Sequence, residues 1–364
     1  MRKIVISGIN LFRGGTLKVM QDCIAALSVF AGDRYEIIAL VHNEKQFPSY
    51  SNVRYISYPL SRKSYLFRLY YEYIGFKKLS KQLNPYCWFS LHDTTPNVVA
   101  EKRMVYCHNP YPFFKPGIKG FYLQRNIFFL CILSKYLYKI NIKKNDYVIV
   151  QQEWLRKALK KRFSIDNIVV ALPIKEKKEI ICLENQTDRK KKVFFYPATA
   201  ILQKNFEVIC RAAGILEKEG VDNFEVIMTL KQTENKYANY ICKTYHSLKT
   251  LRFVGFLSPD DVTGYYENSD CFLFPSKAET WGLPVSEAKE YGKPILLSDL
   301  PYAKETVGKY DKVCFFNPDN AGQLAILMKS FIDGTLVYDT TEEIHYEQPV
   351  VYNWDELIRF LFES

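Results

Sequence analysis

The stretch DCFLFPSKAETWGLPVSEAKEYGKPILLS, residues 270–298, reads as a strand, a loop, a short helix and a second strand. Its two apolar runs lack strict alternation, as in strands buried on both faces of a parallel sheet. Between them Gly282 permits close backbone approach, Pro284 suits a first helical position, and Gly292 suits the far end of a helix from about 284 to 291. Open α/β sheets bind ligands beyond the carboxyl ends of their strands. The loop 276–284 is therefore where a ligand is expected. Free N–H groups from Gly282 to Ser286, at the positive end of the helix, suit a phosphate or diphosphate. Glu279 and Glu287, eight positions apart, would repel that phosphate if they faced it. They suit neutral hydroxyls, to which a charged acceptor makes a bond about twice as strong as a neutral one. A nucleotide sugar, with ribose and transferred sugar flanking the phosphates, satisfies all three features. The macrodipole alone also favours a glutamate in a first turn, and exposed loop glutamates are common.

Working outward, the same strand and helix alternation recurs along the chain. KIVISG (3–8), YEIIALV (35–41), YCWFSLH (86–92), RMVYCH (103–108) and DYVIVQ (146–151) mark strands in the first half. KVFFYPA (192–198), FEVIMTL (224–230) and LRFVGF (251–256) join the two strands already named in the second. A polar stretch, 173–191, interrupts the pattern as an interdomain linker. The expected organisation is an α/β domain over 1–172, a second over 192–346, and a closing helix in 347–364 with Trp354, Ile358 and Leu361 on one face. A chain of 364 residues supports this, since single cores rarely grow past roughly 250 residues.

Nine cysteines, odd in number and without a C-x-x-C pair, indicate free thiols in a reducing compartment and neither a disulfide scaffold nor a zinc site. The N-terminus lacks the pattern of a signal peptide and no apolar run approaches the roughly 20 residues of a membrane span, so a cytoplasmic protein is expected. Charge is polarised: through Leu172 there are 27 Lys and Arg against 10 Asp and Glu, and thereafter 23 against 29. The basic half suits an anionic membrane or a phosphorylated acceptor. Nucleic acid ranks lowest, because no recognition motif accompanies the charge.

Residues 252–308 resemble the donor-binding segment of the family 4 retaining glycosyltransferases of GT-B fold. The match runs in order through Val254-Gly255, Tyr266, Ser269-Asp270, Pro275-Ser276, Glu279, Gly282-Leu283-Pro284, Glu287-Ala288, Gly292, Pro294, Ser298-Asp299, Glu305 and Gly308. The resemblance implies two Rossmann-like domains with donor and acceptor meeting in the cleft between them. It implies that Glu279 holds hydroxyls of the transferred sugar and Glu287 the ribose. Thr280, Trp281, Gly282 and Leu283 would then contact sugar and diphosphate, and Gly255 and Phe256 would border the base. Lys204 falls at the family's phosphate-binding lysine. The arginine that usually precedes that lysine is missing from Pro197 to Gln203, and Arg211 is a substitute only if it leaves its helix face.

In the first half, Gly14 and Gly15 follow the first strand, where the resemblance implies approach to donor phosphates or acceptor, although a tight turn needs glycine anyway. There is no G-x-G-x-x-G, so no dinucleotide redox cofactor is expected. His108, at a strand end, occupies the place of the family's active-site histidine near the sugar; His92 and Asn109 would face the acceptor. The alternative is that one or both merely hydrogen-bond loop backbone, and of the two His108 is the one for which function is favoured. Two basic-aromatic segments, 64–83 and 120–144, suit either core packing or an anionic bilayer surface. No cofactor or metal is expected, since no Asp-x-Asp occurs. The implied activity is retaining transfer of a sugar from a nucleotide sugar to a lipid-linked saccharide in bacterial surface polysaccharide assembly. The alternatives are a non-hydrolysing sugar-nucleotide epimerase and a catalytically silent sugar-nucleotide-binding partner.

Overall fold

The structure, a computed structural model, describes residues 1–173 and 191–363. Apart from its end residues, the linker expected at 173–191 lies outside the described residues. The chain divides into two compact units. The first comprises Met1–Asn109, 133–173 and 346–363; the second comprises 110–132 and 191–345.

Among the described residues the strands are β1 (Arg2–Ser7), β2 (Tyr35–Val41), β3 (Val53–Ser57), β4 (Cys87–Ser90), β5 (Lys102–Cys107), β6 (Tyr147–Val150), β7 (Ile168–Ala171), β8 (Lys192–Tyr196), β9 (Phe224–Met228), β10 (Leu251–Phe253), β11 (Cys271–Phe274), β12 (Ile295–Ser298), β13 (Val313–Phe316) and β14 (Val350–Val351). The first unit's sheet has the order β14-β7-β6-β5-β4-β1-β2-β3, and the second's β10-β9-β8-β11-β12-β13. Their strand pairs are parallel, with Ile4 opposite Ile37 and Cys87, and Phe272 opposite Phe195 and Ile295. Residues such as Ile4, Val5 and Ile6 in β1 and all four of β11 are fully buried, which is why both strands read as unbroken apolar runs. In each sheet the direction of winding reverses at the central pair, β1 with β4 and β8 with β11. The loops leaving these strands open the crevice where such folds hold ligands.

Four strands escape the sequence pattern: β3, β7, β13 and β14. β3 and β13 are sheet edges, and β3 leaves Arg54 and Ser57 exposed. β14 has two residues, held by pairing with β7. The segment 110–132, expected with the first domain, groups with the second unit. Phe114 and Cys131 share a buried cluster with Ala278, Gln124 bonds both Ala200 O and Leu202 N, and Lys119 pairs with Glu207 at 2.9 Å. The closing helix is Trp354–Glu363 and groups with the first unit. It packs on the helix Gly14–Ala31, with Leu357, Ile358 and Leu361 buried and Phe362 against Phe30 at 5.6 Å.

Candidate functional site

In the second unit the loops after β8 and β11 meet. The first ends in a short turn, Leu202–Lys204, whose last carbonyl accepts the Tyr196 hydroxyl at 2.7 Å. Asn205 follows with φ 55° and donates to the carbonyls of Pro275 and Pro318, tying this turn to the β11 loop. Lys204 Nζ then donates to Glu279 Oε1 at 2.6 Å. The two side chains are only 15% and 12% exposed, so each supplies the charge that makes burial of the other tolerable. Beside Lys204, Gln203 Oε1 is buried without a hydrogen-bond partner.

The β11 loop turns at Gly282, which has φ +90°; a Cβ there would stand 3.3 Å from Phe274 Cε1. The helix Leu283–Glu290 starts immediately, with Pro284 in its first turn and no side-chain cap, so its first N–H groups carry no cap. Trp281 is tied to this turn: its indole N–H donates to Ser286 Oγ at 3.0 Å and its carbonyl accepts the Thr306 hydroxyl. Thr280 is half-buried and Leu283 is the first helical residue. Glu287, one turn in, accepts the Tyr266 hydroxyl at 3.1 Å. Burial, and then the Glu287 carboxylate, push the Tyr266 phenol far up, keeping it a donor. Gly255 and Phe256 line a cavity of about 620 Å³ with Lys231, Tyr245 and His246, and Phe256 is 92% exposed. Arg211 is exposed on the helix Phe206–Lys218.

In the first unit Gly14 and Gly15 are exposed at the start of the helix Gly14–Ala31, which has no side-chain cap. Two arginines that sequence reasoning passed over lie against the neighbouring Phe12 ring, Arg62 at 3.2 Å and Arg13 at 5.1 Å from its centroid. Burial, and then Arg13, hold Arg62 below its ordinary value. Sequence spacing offered no signal for this pair, which is 49 positions apart. His108 follows β5, and its backbone N–H donates to Asp93 Oδ1 at 2.8 Å, while its Nε2 is 3.9 Å from the same oxygen. Burial lowers the imidazole's proton affinity, and the Asp93 carboxylate opposes the change. The Asn109 carbonyl accepts the Tyr138 hydroxyl at 3.2 Å.

His92, expected to face the acceptor, is fully buried. Its Nδ1 is 3.0 Å from Glu72 Oε1 and its Nε2 is 3.3 Å from Ser7 Oγ, so both ring nitrogens have protein partners. Glu72 and Arg68, which hold this histidine, carried no sequence signal beyond their helical spacing. Among the described residues no group of three or more His, Cys, Asp or Glu is placed to hold a metal ion.

Residues 177–347 match the family described as Glycosyl transferases group 1. Over 165 residues the chain is 26% identical to the serotype-specific mannosyltransferase WbdA of Escherichia coli, covering 44% of this chain. The chain spans about a fifth of that relative's length. It is 21% identical over 257 residues to the O-antigen chain mannosyltransferase RfbU of Salmonella typhimurium, covering 69% of this chain and 66% of the relative. The structure of sucrose-phosphate synthase from Thermosynechococcus elongatus matches with a TM-score of 0.62 at 12% identity, over 92% of this chain and 90% of that one. The fold is thus the GT-B type, built from two Rossmann-like parallel-sheet domains.

Proposed function

We propose that the chain is a retaining, metal-independent glycosyltransferase that moves a sugar from a nucleotide sugar to a lipid-linked saccharide in bacterial surface polysaccharide assembly. The observation that carries this is the Lys204–Glu279 pair, 2.6 Å apart, in the same unit as the uncapped helix start at Leu283. On donor binding the diphosphate takes the Lys204 ammonium and the N–H groups near Gly282 and Leu283. Glu279 is released to accept from hydroxyls of the transferred sugar, and neither buried charge is left without a partner. Glu287 accepts from the ribose, and Gly255 and Phe256 border the base. Helix dipole and lysine stabilise charge developing on the leaving diphosphate, the work an electrostatic cradle does best when preorganised. With no nucleophile assigned, the acceptor oxygen attacks from the face the phosphate leaves. The anomeric carbon–phosphate oxygen bond breaks, the carbon–acceptor oxygen bond forms, and the departing oxygen takes the acceptor's proton. His108 takes, by resemblance, the role of the family's active-site histidine, and Arg13 and Arg62 beside Gly14 suit a phosphate of donor or acceptor.

The names of WbdA and RfbU make mannose the first sugar to test. A lipid-linked acceptor places the enzyme on the cytoplasmic face of a membrane. The helical segment 65–83 suits that surface: Leu66, Tyr70 and Ile74 are 76%, 52% and 58% exposed, with Lys63, Lys77, Lys78 and Lys81 also exposed around them. Among the described residues no helix is long and apolar enough to cross a membrane.

The test is a thermal-shift screen of nucleotide sugars followed by transfer assays with matched saccharide acceptors. The expected result is a product of retained anomeric configuration, formed in EDTA and reduced about 100-fold or more by Glu279→Ala. Full activity in that variant overturns the role of Glu279. Conversion of the donor sugar without acceptor identifies an epimerase, and binding without turnover on any acceptor identifies a silent partner. The matched relatives, named as transferases, favour the first outcome.

A further inference from the structure

The loop after β4 is gripped from behind by one carboxylate. Glu72 is fully buried, in a π-helical turn, Tyr71–Gly75, that interrupts the helical segment 65–83. Such turns re-aim side chains and recur at functional sites. Glu72 Oε2 accepts the Thr94 hydroxyl at 2.6 Å, and Oε1 is 3.0 Å from His92 Nδ1 and also receives Arg68 Nε. Arg68 Nη2 donates to the His92 carbonyl at 2.8 Å. On the other side of His92, Ser7 Oγ at the end of β1 is 3.3 Å from Nε2 and accepts the Trp88 indole at 3.0 Å. Residues 92 and 94 are thus both held by Glu72, one on each side of a residue that is itself buried.

That residue is Asp93, held at φ +71°, in the left-handed region that few L-residues other than asparagine and aspartate adopt. Its carboxylate receives the His108 backbone N–H at 2.8 Å, its own N–H donates to the Tyr106 carbonyl at 3.2 Å, and its carbonyl lies 3.6 Å from Cys107 Sγ. We propose that Arg68, Glu72, His92 and Thr94 form a buried positioning network that sets Asp93, and through it His108, for the reaction. The role assigned to His108 rests on the proposed transferase activity; the positional coupling does not. His92 acts in this network as a positioning residue in place of the acceptor contact expected from the sequence.

The test compares Thr94→Val, which removes one hydroxyl and leaves the charges in place, with Thr94→Ser and Glu72→Gln, in the full chain. Histidine ring signals are followed by nitrogen-15 NMR, with melting temperature and transfer kinetics alongside. Thr94→Val and Glu72→Gln are expected to move the His108 ring signals and to lower kcat about 10- to 100-fold, as a misplacement near 1 Å does, with donor KM unchanged. Thr94→Ser is expected to restore both. Lowered melting temperature with unmoved His108 signals and unchanged kcat overturns the proposal and leaves a network that only stabilises. If no nucleotide sugar is turned over by the wild-type chain, the proposed activity fails, and the His108 signals alone still decide the coupling.

Discussion

At the scale of single residues, two titrations carry sign. Burial lowers the His108 proton affinity and Asp93 partly restores it, so the ring protonates below its ordinary value of about 6.5. The acid limb of kcat/KM against pH is expected below that value. Asp93→Asn should move the limb lower still, because it removes the charge that opposes burial. Glu72 behaves differently: burial pushes its carboxyl up, but Arg68, His92 and Thr94 overcome that and hold it at about 2. Its folded value lies below the unfolded value of about 4.3, so its stabilisation is complete above that pH and is lost as pH falls toward 2. Acid unfolding followed by circular dichroism should show a steeper loss between those limits for the wild type than for Glu72→Gln, whose stability is already reduced at pH 7.

At the scale of elements, the start of the helix Leu283–Glu290 depends on one backbone conformation. Gly282→Ala puts an L-residue at φ +90° with its Cβ 3.3 Å from Phe274, costing about 1–2 kcal/mol. If the turn shifts to relieve it, nucleotide-sugar affinity should fall about tenfold, read by calorimetry, alongside a lowered melting temperature. The closing helix is held by packing. Leu361 is fully buried, and Leu361→Ala should cost about 2–5 kcal/mol in urea unfolding while the second unit still binds donor. Both helices were legible in the sequence: one from Gly282, Pro284 and Gly292, the other from the apolar spacing of Trp354, Ile358 and Leu361. β3 and β14 were not. A short edge strand gains its hydrogen bonds from one neighbour, and that neighbour is far away in sequence for β14, which pairs with β7.

At the scale of the whole molecule, charge polarity bears on partners. If the basic half and the exposed apolar residues of 65–83 meet an anionic bilayer, sedimentation with phosphatidylglycerol vesicles should be strong at low salt. It should weaken as ionic strength rises past about 0.15 M, where the Debye length is about 8 Å, and Leu66→Asp with Ile74→Asp should weaken it at every salt. The sequence by itself determined the alternation of strand and helix, the two parallel sheets and the glycine turn at 282, and it singled out Lys204, Glu279 and Glu287 as the candidate side chains around that turn. These are local patterns: an apolar run, a turn residue and a helix start depend on neighbours a few positions away. Only the tertiary structure decided that Lys204 closes on Glu279, that 110–132 packs with the second unit, and that His92 is walled in by Glu72 and Ser7. Those pairings join residues tens of positions apart, and what selects them is the strand order, which brings the β8 and β11 loops together and sets the ends of β1 and β4 side by side.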